Sequence, residues 1–142
     1  MTRERLNRVR NLREVQRQKE NRLRLIKESL QSIIPIRDGQ PHANKHTPKI
    51  EELTIKQIDL EREIAELAAQ IETAGLELLG EIICNINLTD KEHEVLVRRY
   101  VFCSRFRDIQ FMMKLSDARV FAIHSDAVKK ILGKQETRVA QE

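Results

Sequence analysis

Apolar residues recur at alternating three- and four-residue steps in two long stretches of the chain. In residues 3–34 the repeat is interrupted by Gln16 and Lys19, and in residues 48–86 it is nearly unbroken. Its apolar members are Val9, Leu12, Leu23, Ile26, Leu30 and Ile33, then Ile50, Leu53, Leu60, Ile64, Leu67, Ile71, Ala74 and Leu78. This spacing is that of a coiled coil, so it predicts two long helices packed along one seam.

Residues 35–48 separate the two stretches. Their turn-forming residues are Pro35, Asp38, Gly39 and Pro41. A connection this short makes the flanking helices antiparallel, so residues 1–87 are predicted to form a helical hairpin. His42 and His46 lie in this loop without a cysteine or paired acids nearby, so we expect no metal site there.

The second helix carries a further apolar stripe outside the seam. Its members are Ile55, Ile58, Ala65, Ala69 and Leu76. Two helices cannot bury both stripes, so either the C-terminal part of the chain folds back or a second copy packs there. We favour a homo-oligomer, most simply a dimer. The candidate oligomerisation residues are Ile55, Ile58, Ile64, Leu67 and Ile71.

The C-terminal stretch begins with a helix-capping pattern. The hydroxyl of Thr89 is expected to accept from the backbone N–H of Glu92, whose side chain reaches back to Thr89. Ser104 and Ser116 are the expected caps of two further helices. Residues 88–133 therefore read as three short helices separated by tight turns.

The predicted inner faces of these three helices complete the picture of an all-α chain. They comprise Val95, Leu96 and Tyr100, then Phe106, Ile109 and Met113, and then Val120, Ile123, Ala127 and Ile131. Helix, short turn and helix of this length is the helix-turn-helix arrangement. Gly133 is expected to end the last helix, leaving 134–142 as a frayed tail.

The motif at 88–100, L-T-x-x-E-x-x-V-L-x-x-R-Y, resembles region 4 of sigma-70-type factors. Ile109, the spacing S-x-x-x-V at 116–120 and H-x-x-A at 124–127 fit the same pattern. The chain is more similar still to small region-4-like proteins of Gram-positive phages and prophages, which carry a long helical hairpin before the motif. The resemblance implies a transcriptional regulator that binds promoter DNA, with RNA polymerase as a candidate partner.

The chain departs from that family pattern at several positions. Cys103 and Lys114 stand where glycine is usual or common, and Arg105 stands where threonine is frequent. A small residue is usual at Gln110. Basic or polar residues often occupy the positions of Ala118, Ala122 and Asp126.

Within the implied DNA-binding helix, one step of about 100° per residue decides which side chains face outward. Arg119 is the candidate reader of guanine, and Arg105 and Arg107 are candidate phosphate contacts. The full set of candidate DNA-binding residues is Arg105, Arg107, Ser116, Ala118, Arg119, Ala122, Ser125, Lys129 and Lys130. The alternative function is a protein-interaction module that docks on RNA polymerase or another regulator without reading DNA. A third reading, an architectural coiled coil, leaves the caps and turns of 88–132 without a purpose.

Charge is distributed unevenly along the 142 residues, whose net charge is +4. Residues 1–27 hold ten Lys/Arg and three Glu, whereas 51–87 hold nine acids and two bases. The arginines of the first helix are therefore expected to lie mostly against the acidic second helix. The open alternative is an arm that grips nucleic-acid phosphates.

Catalytic chemistry finds no support in the sequence. The chain has no Gly-rich phosphate loop, defensible Ser/His/Asp spacing or metal-ligand cluster, so no enzyme activity, cofactor or metal is expected. His124 is expected to be a packed, hydrogen-bonded histidine. Cys84 and Cys103 are too few for a disulfide scaffold, and no stretch is apolar enough for a signal peptide or membrane span. These features favour a cytoplasmic protein.

Overall fold

A computed structural model describes residues 1–33 and 48–141, and the side chains of 1–32 and 48–133. The helices are α1 (Arg3–Ile33), α2 (Pro48–Ile83), α3 (Asp90–Leu96), α4 (Phe106–Met113) and α5 (Asp117–Gln141). A π-helical stretch, Val97–Val101, continues α3. The expected all-α class is confirmed, with no strand in the part of the chain that the structure describes. The predicted loop with His42 and His46 lies outside the described residues.

The chain divides into two compact units. The two-helix unit comprises residues 13–70, from the inner parts of α1 and α2. The five-helix unit comprises residues 1–12 and 71–142, so it combines the start of α1 and the end of α2 with α3, α4 and α5. The predicted division at residue 87 falls inside the five-helix unit.

In the two-helix unit, polar groups bridge α1 and α2 along the predicted seam. The Gln16 side-chain amide donates to the backbone carbonyl of Ile64 at 3.4 Å, and the Lys19 ammonium contacts Glu63 at 2.6 Å. Lys27 pairs with Glu61, so later residues of α1 meet earlier residues of α2 and the helices run antiparallel. Gln16 and Lys19 thus satisfy their polar groups at the edge of the seam.

The second apolar stripe of α2 is open to solvent in this unit. Ile55 and Ile58 are 60% and 52% exposed, respectively. Ile64 and Leu67, which were also predicted to mediate oligomerisation, are instead half-buried at seam positions. Ile55 and Ile58 are therefore the most exposed of the candidate self-association residues in this unit.

The main core of the five-helix unit is built from five elements. Its buried members are Leu6, Val9, Ala74, Leu78, Ile82, Leu88, Leu96, Val97, Tyr100, Val101, Ala127, Ile131 and Leu132. Ile71 and Leu79 are partly buried against it. Ile82 belongs to this core, whereas Ile83 and Ile86 are 53% and 93% exposed.

A second, smaller core joins α3, α4 and α5. Val95, Ile109, Val120 and Ile123 are buried there, and Phe106, Met113 and Leu115 pack around them. The inner faces predicted for the three helices are therefore confirmed. Because α5 contributes to both cores, its inner face is fixed along several turns and the opposite face is left for solvent.

The expected end of α5 at Gly133 is wrong, since the helix continues to Gln141. Glycine ends a helix by adopting the left-handed conformation, and Gly133 does not adopt it. A glycine inside a helix costs about 1 kcal/mol relative to alanine. A cost of that size at one position does not end a long helix.

Candidate nucleic-acid interface

The start of α3 is tied to α5 through a buried carboxylate. The Thr89 hydroxyl accepts from the backbone N–H of Glu92 at 3.3 Å and donates to its carboxylate at 3.1 Å, as the capping box predicts. The Lys130 ammonium also donates to that carboxylate, at 2.7 Å. Glu92 is 6% exposed. Lys130, predicted to contact DNA phosphate, is therefore engaged in holding α5 to α3.

Glu92 keeps its charge despite being buried. Burial favours the neutral acid, but hydrogen bonds from Lys130 and Thr89 outweigh it and hold the pKa of Glu92 below its ordinary value. One carboxylate oxygen has no hydrogen-bond partner among the described residues. The charge thus depends on the Lys130 and Thr89 contacts.

Two non-glycine residues adopt the left-handed backbone conformation, and both stand where the resembling family favours glycine. Cys103 has φ 57° in the turn before α4, and Lys114 has φ 55° at the end of α4. The Lys114 N–H donates to the carbonyl of Gln110, which closes the last turn of that helix. The left-handed backbone conformation, which glycine adopts most easily, is therefore present at both positions although neither residue is glycine.

The expected cap of α4 is wrong. Arg105, not Ser104, is the N-cap residue, and no side chain caps this helix. The Ser104 N–H instead donates to the carbonyl of Arg98 at 2.8 Å, which makes Ser104 part of the turn. Arg105 and Arg107 are exposed at this end, and neither is in an ion pair within the described residues.

A three-residue link joins α4 to α5. Ser116 caps α5 as expected, since its hydroxyl accepts from the backbone N–H of Arg119 at 3.3 Å. The hydroxyl of this candidate DNA contact therefore already has a partner within the chain. Because Ile109, Val120 and Ile123 share one core, the link holds α4 and α5 against each other.

The outward face of α5 contains the predicted residues. Those that are exposed are Ala118, Arg119, Ala122, Ser125, Lys129 and Lys130, together with the acidic Asp117 and Asp126. Phe121 is also 51% exposed, with its ring centroid 4.8 Å from that of Phe106. Periodicity alone missed Phe121, because an aromatic residue next to the inner face reads as part of the core.

Tyr100 and His124 form a polar pair behind this face. The Tyr100 hydroxyl lies 2.7 Å from Nε2 of His124, and the two rings stack. Burial, with the positive charges of Arg99 and Arg10, lowers the pKa of His124. The expected packed and hydrogen-bonded histidine is confirmed.

Arg99 is held next to this pair and was not singled out from the sequence. Its guanidinium stacks 4.3 Å from the centroid of Phe106 and donates to the carbonyl of Ser104 at 3.1 Å. Burial and the charge of Arg10 lower the pKa of Arg99, which nonetheless stays protonated because an arginine pKa is so high. Its position follows from contacts across the fold, which no local pattern reveals.

The arginines of α1 mostly do not pair with α2, contrary to expectation. Among the described residues, Arg5 forms an ion pair with Glu81. Arg17 and Arg24 pair within α1. The remaining arginines of this helix, Arg3, Arg8, Arg10, Arg13 and Arg22, are in no ion pair within the described ranges. The ion pairs between α1 and α2 in the described ranges are instead formed by Arg5 and by two lysines, Lys19 and Lys27.

No family model matches the chain, and no curated protein or solved structure matches it. Among the described residues, none of the helices is long and apolar enough to cross a membrane.

Proposed function

We propose that this protein is a DNA-binding transcriptional regulator whose α4, link and α5 form a helix-turn-helix of the sigma region-4 type. In this reading α5 enters the major groove and the α1–α2 hairpin carries self-association or contact with RNA polymerase. Its setting is the cytoplasm.

The observation that carries the proposal is the division of α5 into two faces. Val120, Ile123 and Ala127 hold one face in the cores. The exposed face carries small and basic residues together with Asp117, Asp126 and Phe121. A groove of duplex DNA admits a helix whose outer side chains near its start are short or basic. Ala118 and Ala122 let the helix approach thymine methyl groups.

The charged residues divide into readers and anchors. Arg119, in the first turn of α5, can donate two hydrogen bonds to one guanine. Arg105, Arg107 and Lys129 supply sequence-independent phosphate contacts. Asp117 and Asp126 repel phosphates, so they restrict how α5 can lie in the groove.

The test is selection of duplexes from a random-sequence pool with the full-length protein, followed by sequencing. The proposal predicts enrichment of a short motif that contains guanine. Enrichment must be lost with Arg119→Ala and retained with Lys91→Ala, which removes one exposed charge from α3. A pool that stays random after repeated rounds would contradict the proposal.

A second candidate function is favoured by exposed apolar groups on the five-helix unit. Phe111 and Met112 of α4 are 85% and 58% exposed. Elsewhere in the unit, an open groove of about 520 Å³ is lined by the apolar Leu79, Ile83, Val97 and Phe102 and by the polar Asp90, His93, Glu94 and Arg98. Exposed apolar surface of this kind suits a protein partner rather than DNA. The alternative is therefore a protein-interaction module that docks on RNA polymerase or another regulator without reading DNA. In that case Phe111→Ser would abolish function and Arg119→Ala would not.

A further inference from the structure

The first turns of α1, which carry Arg3 and Arg10, pack in the same core as Tyr100, the neighbour of Arg99. Leu6 and Val9 of α1 are buried in the same core as Tyr100 and Val101, which brings the first turns of α1 beside the π-helical stretch. The positive charges of Arg99, Arg10 and Arg3 all act on the Tyr100 phenol. They partly offset its burial, which raises the pKa.

Helical geometry explains why Arg3 and Arg10 lie on the same side of α1. Arg3 and Arg10 are seven residues apart, so two turns place them on one flank of the buried face formed by Leu6 and Val9. Arg5 falls on the other flank, where it pairs with Glu81. Arg8 falls on the opposite side of the helix.

The positive charge of the cluster is not neutralised by an ion pair within the described ranges. None of Arg3, Arg10 and Arg99 is in an ion pair within the residues that the structure describes. Arg99 is additionally fixed by Phe106 and the Ser104 carbonyl, so it cannot swing away from Arg10 freely. Arg10 and Arg99 are half-buried, so their like charges oppose one another more strongly than they would in open solvent. A bound anion would remove that repulsion.

We propose that Arg3, Arg10 and Arg99 form a phosphate-binding site, through which the N-terminal helix joins the DNA-binding surface. Arg99 contacts Ser104 and Phe106, which flank the exposed Arg105 at the start of α4, so the cluster continues the basic surface already assigned to phosphate contact. Guanidinium groups bind phosphate oxygens with paired hydrogen bonds. Assigning the phosphate to the DNA backbone rests on the proposed function, whereas the site itself rests on the cluster.

The experiment compares full-length Arg10→Gln and Arg3→Gln with the matched control Arg8→Gln, which loses the same charge from the same helix. Thermal melts are recorded in chloride and in inorganic phosphate at equal ionic strength. Phosphate is expected to raise the wild-type Tm, and the rise should shrink in Arg10→Gln and Arg3→Gln but persist in Arg8→Gln. In dilute chloride, Arg10→Gln should melt roughly 1–3 °C above wild type, because a repulsion is removed.

The second arm titrates the same proteins with duplex DNA at several salt concentrations. Arg10→Gln should weaken binding on the order of tenfold at low salt and flatten the salt slope by about one. Arg8→Gln should change neither. A phosphate response that is identical in Arg10→Gln and wild type, or equally reduced in Arg8→Gln, overturns the site.

The two arms separate this site from the proposed function. If phosphate stabilisation depends on Arg10 but the wild type binds no duplex, the site is upheld with free phosphate as its ligand and the proposed function fails. If the wild type selects a DNA motif but phosphate gives no Arg10-dependent stabilisation, the site fails and the proposed function stands. If phosphate stabilisation depends on Arg10 but Arg10→Gln binds duplex DNA as the wild type does, the assignment of the phosphate to the DNA backbone is overturned.

Discussion

Leu60 and Leu78 lie on the same helix and are almost equally buried, at 4% and 3% exposed, yet their surroundings differ. Leu78 belongs to the main core of the five-helix unit. Leu60 is the one fully buried hydrophobic residue described in the two-helix unit, where its seam neighbours are half-exposed. A seam between two helices shields only one row of side chains from water, whereas a core built from five elements surrounds its side chains on all sides. The two units therefore depend on different things for stability.

The largest expected effect is the loss of stability on shortening a buried leucine in each of the two units. Leu78→Ala should lower the free energy of unfolding by about 3–5 kcal/mol, since a cavity in a closed core cannot collapse fully. Leu60→Ala should cost only about 1–2 kcal/mol, because water and mobile side chains can fill the gap. Urea unfolding of the two variants measures both values. Equal losses would show that the seam is as closed as the core.

The next prediction asks what completes the two-helix unit. If Ile55 and Ile58 meet a second copy, the double change to Glu should convert a dimer to a monomer, weakening association by on the order of a hundredfold or more. Analytical ultracentrifugation across a concentration series measures this. Thr54→Glu together with Lys56→Gln, on exposed neighbouring positions, lowers the net charge by the same amount and is the control for surface charge. A wild type that sediments as a monomer at all concentrations would refute the oligomer.

A smaller effect is expected where burial differs between two glutamates of α3. Glu92→Ala removes the carboxylate that joins Thr89 and Lys130, and should cost about 1–3 kcal/mol. Glu94→Ala removes an exposed pair with Arg98 and should cost at most about 0.5 kcal/mol. Chemical denaturation resolves the difference. Indistinguishable losses would mean that the Glu92 contacts contribute no more than a surface pair.

The smallest expected effect is a gain. Lys114→Gly should stabilise the protein by about 0.5–1 kcal/mol, because glycine adopts the left-handed conformation at φ 55° without strain. Greater freedom of the unfolded chain offsets part of the gain. Lys114→Ala, which removes the charge but keeps Cβ, should be near neutral in the same thermal melt. A gain with alanine as large as with glycine would point to charge rather than backbone strain.

The sequence pattern predicted those features of the fold that depend on residues close together in the chain. The three-and-four spacing found the long helices, and Thr89 and Ser116 were found as caps because a cap is set by residues three apart. The left-handed backbone at Cys103 and Lys114 was not predicted, since neither residue type favours it.

Contacts between distant segments were not predictable in the same way. Glu92 meets Lys130 across 38 residues, so neither local helix signals the pair. Arg10 and Arg99 come together only because Leu6 and Val9 enter the main core. The net charges of α1 and α2 predicted pairing between their side chains. The direction in which each arginine of α1 points is instead set by which residues of that helix are buried. The candidate phosphate site is therefore a product of the fold rather than of any motif.

The most direct test of the DNA-binding account is a titration of wild type, Arg119→Ala and Arg105→Ala against a selected duplex and a random duplex. Arg119→Ala should lose roughly 1–3 kcal/mol on the selected duplex and little on the random one. Arg105→Ala should weaken binding to both alike and lower the salt slope by about one. A wild type that binds the two duplexes equally, or losses that are the same for both variants on both duplexes, would contradict sequence reading by α5.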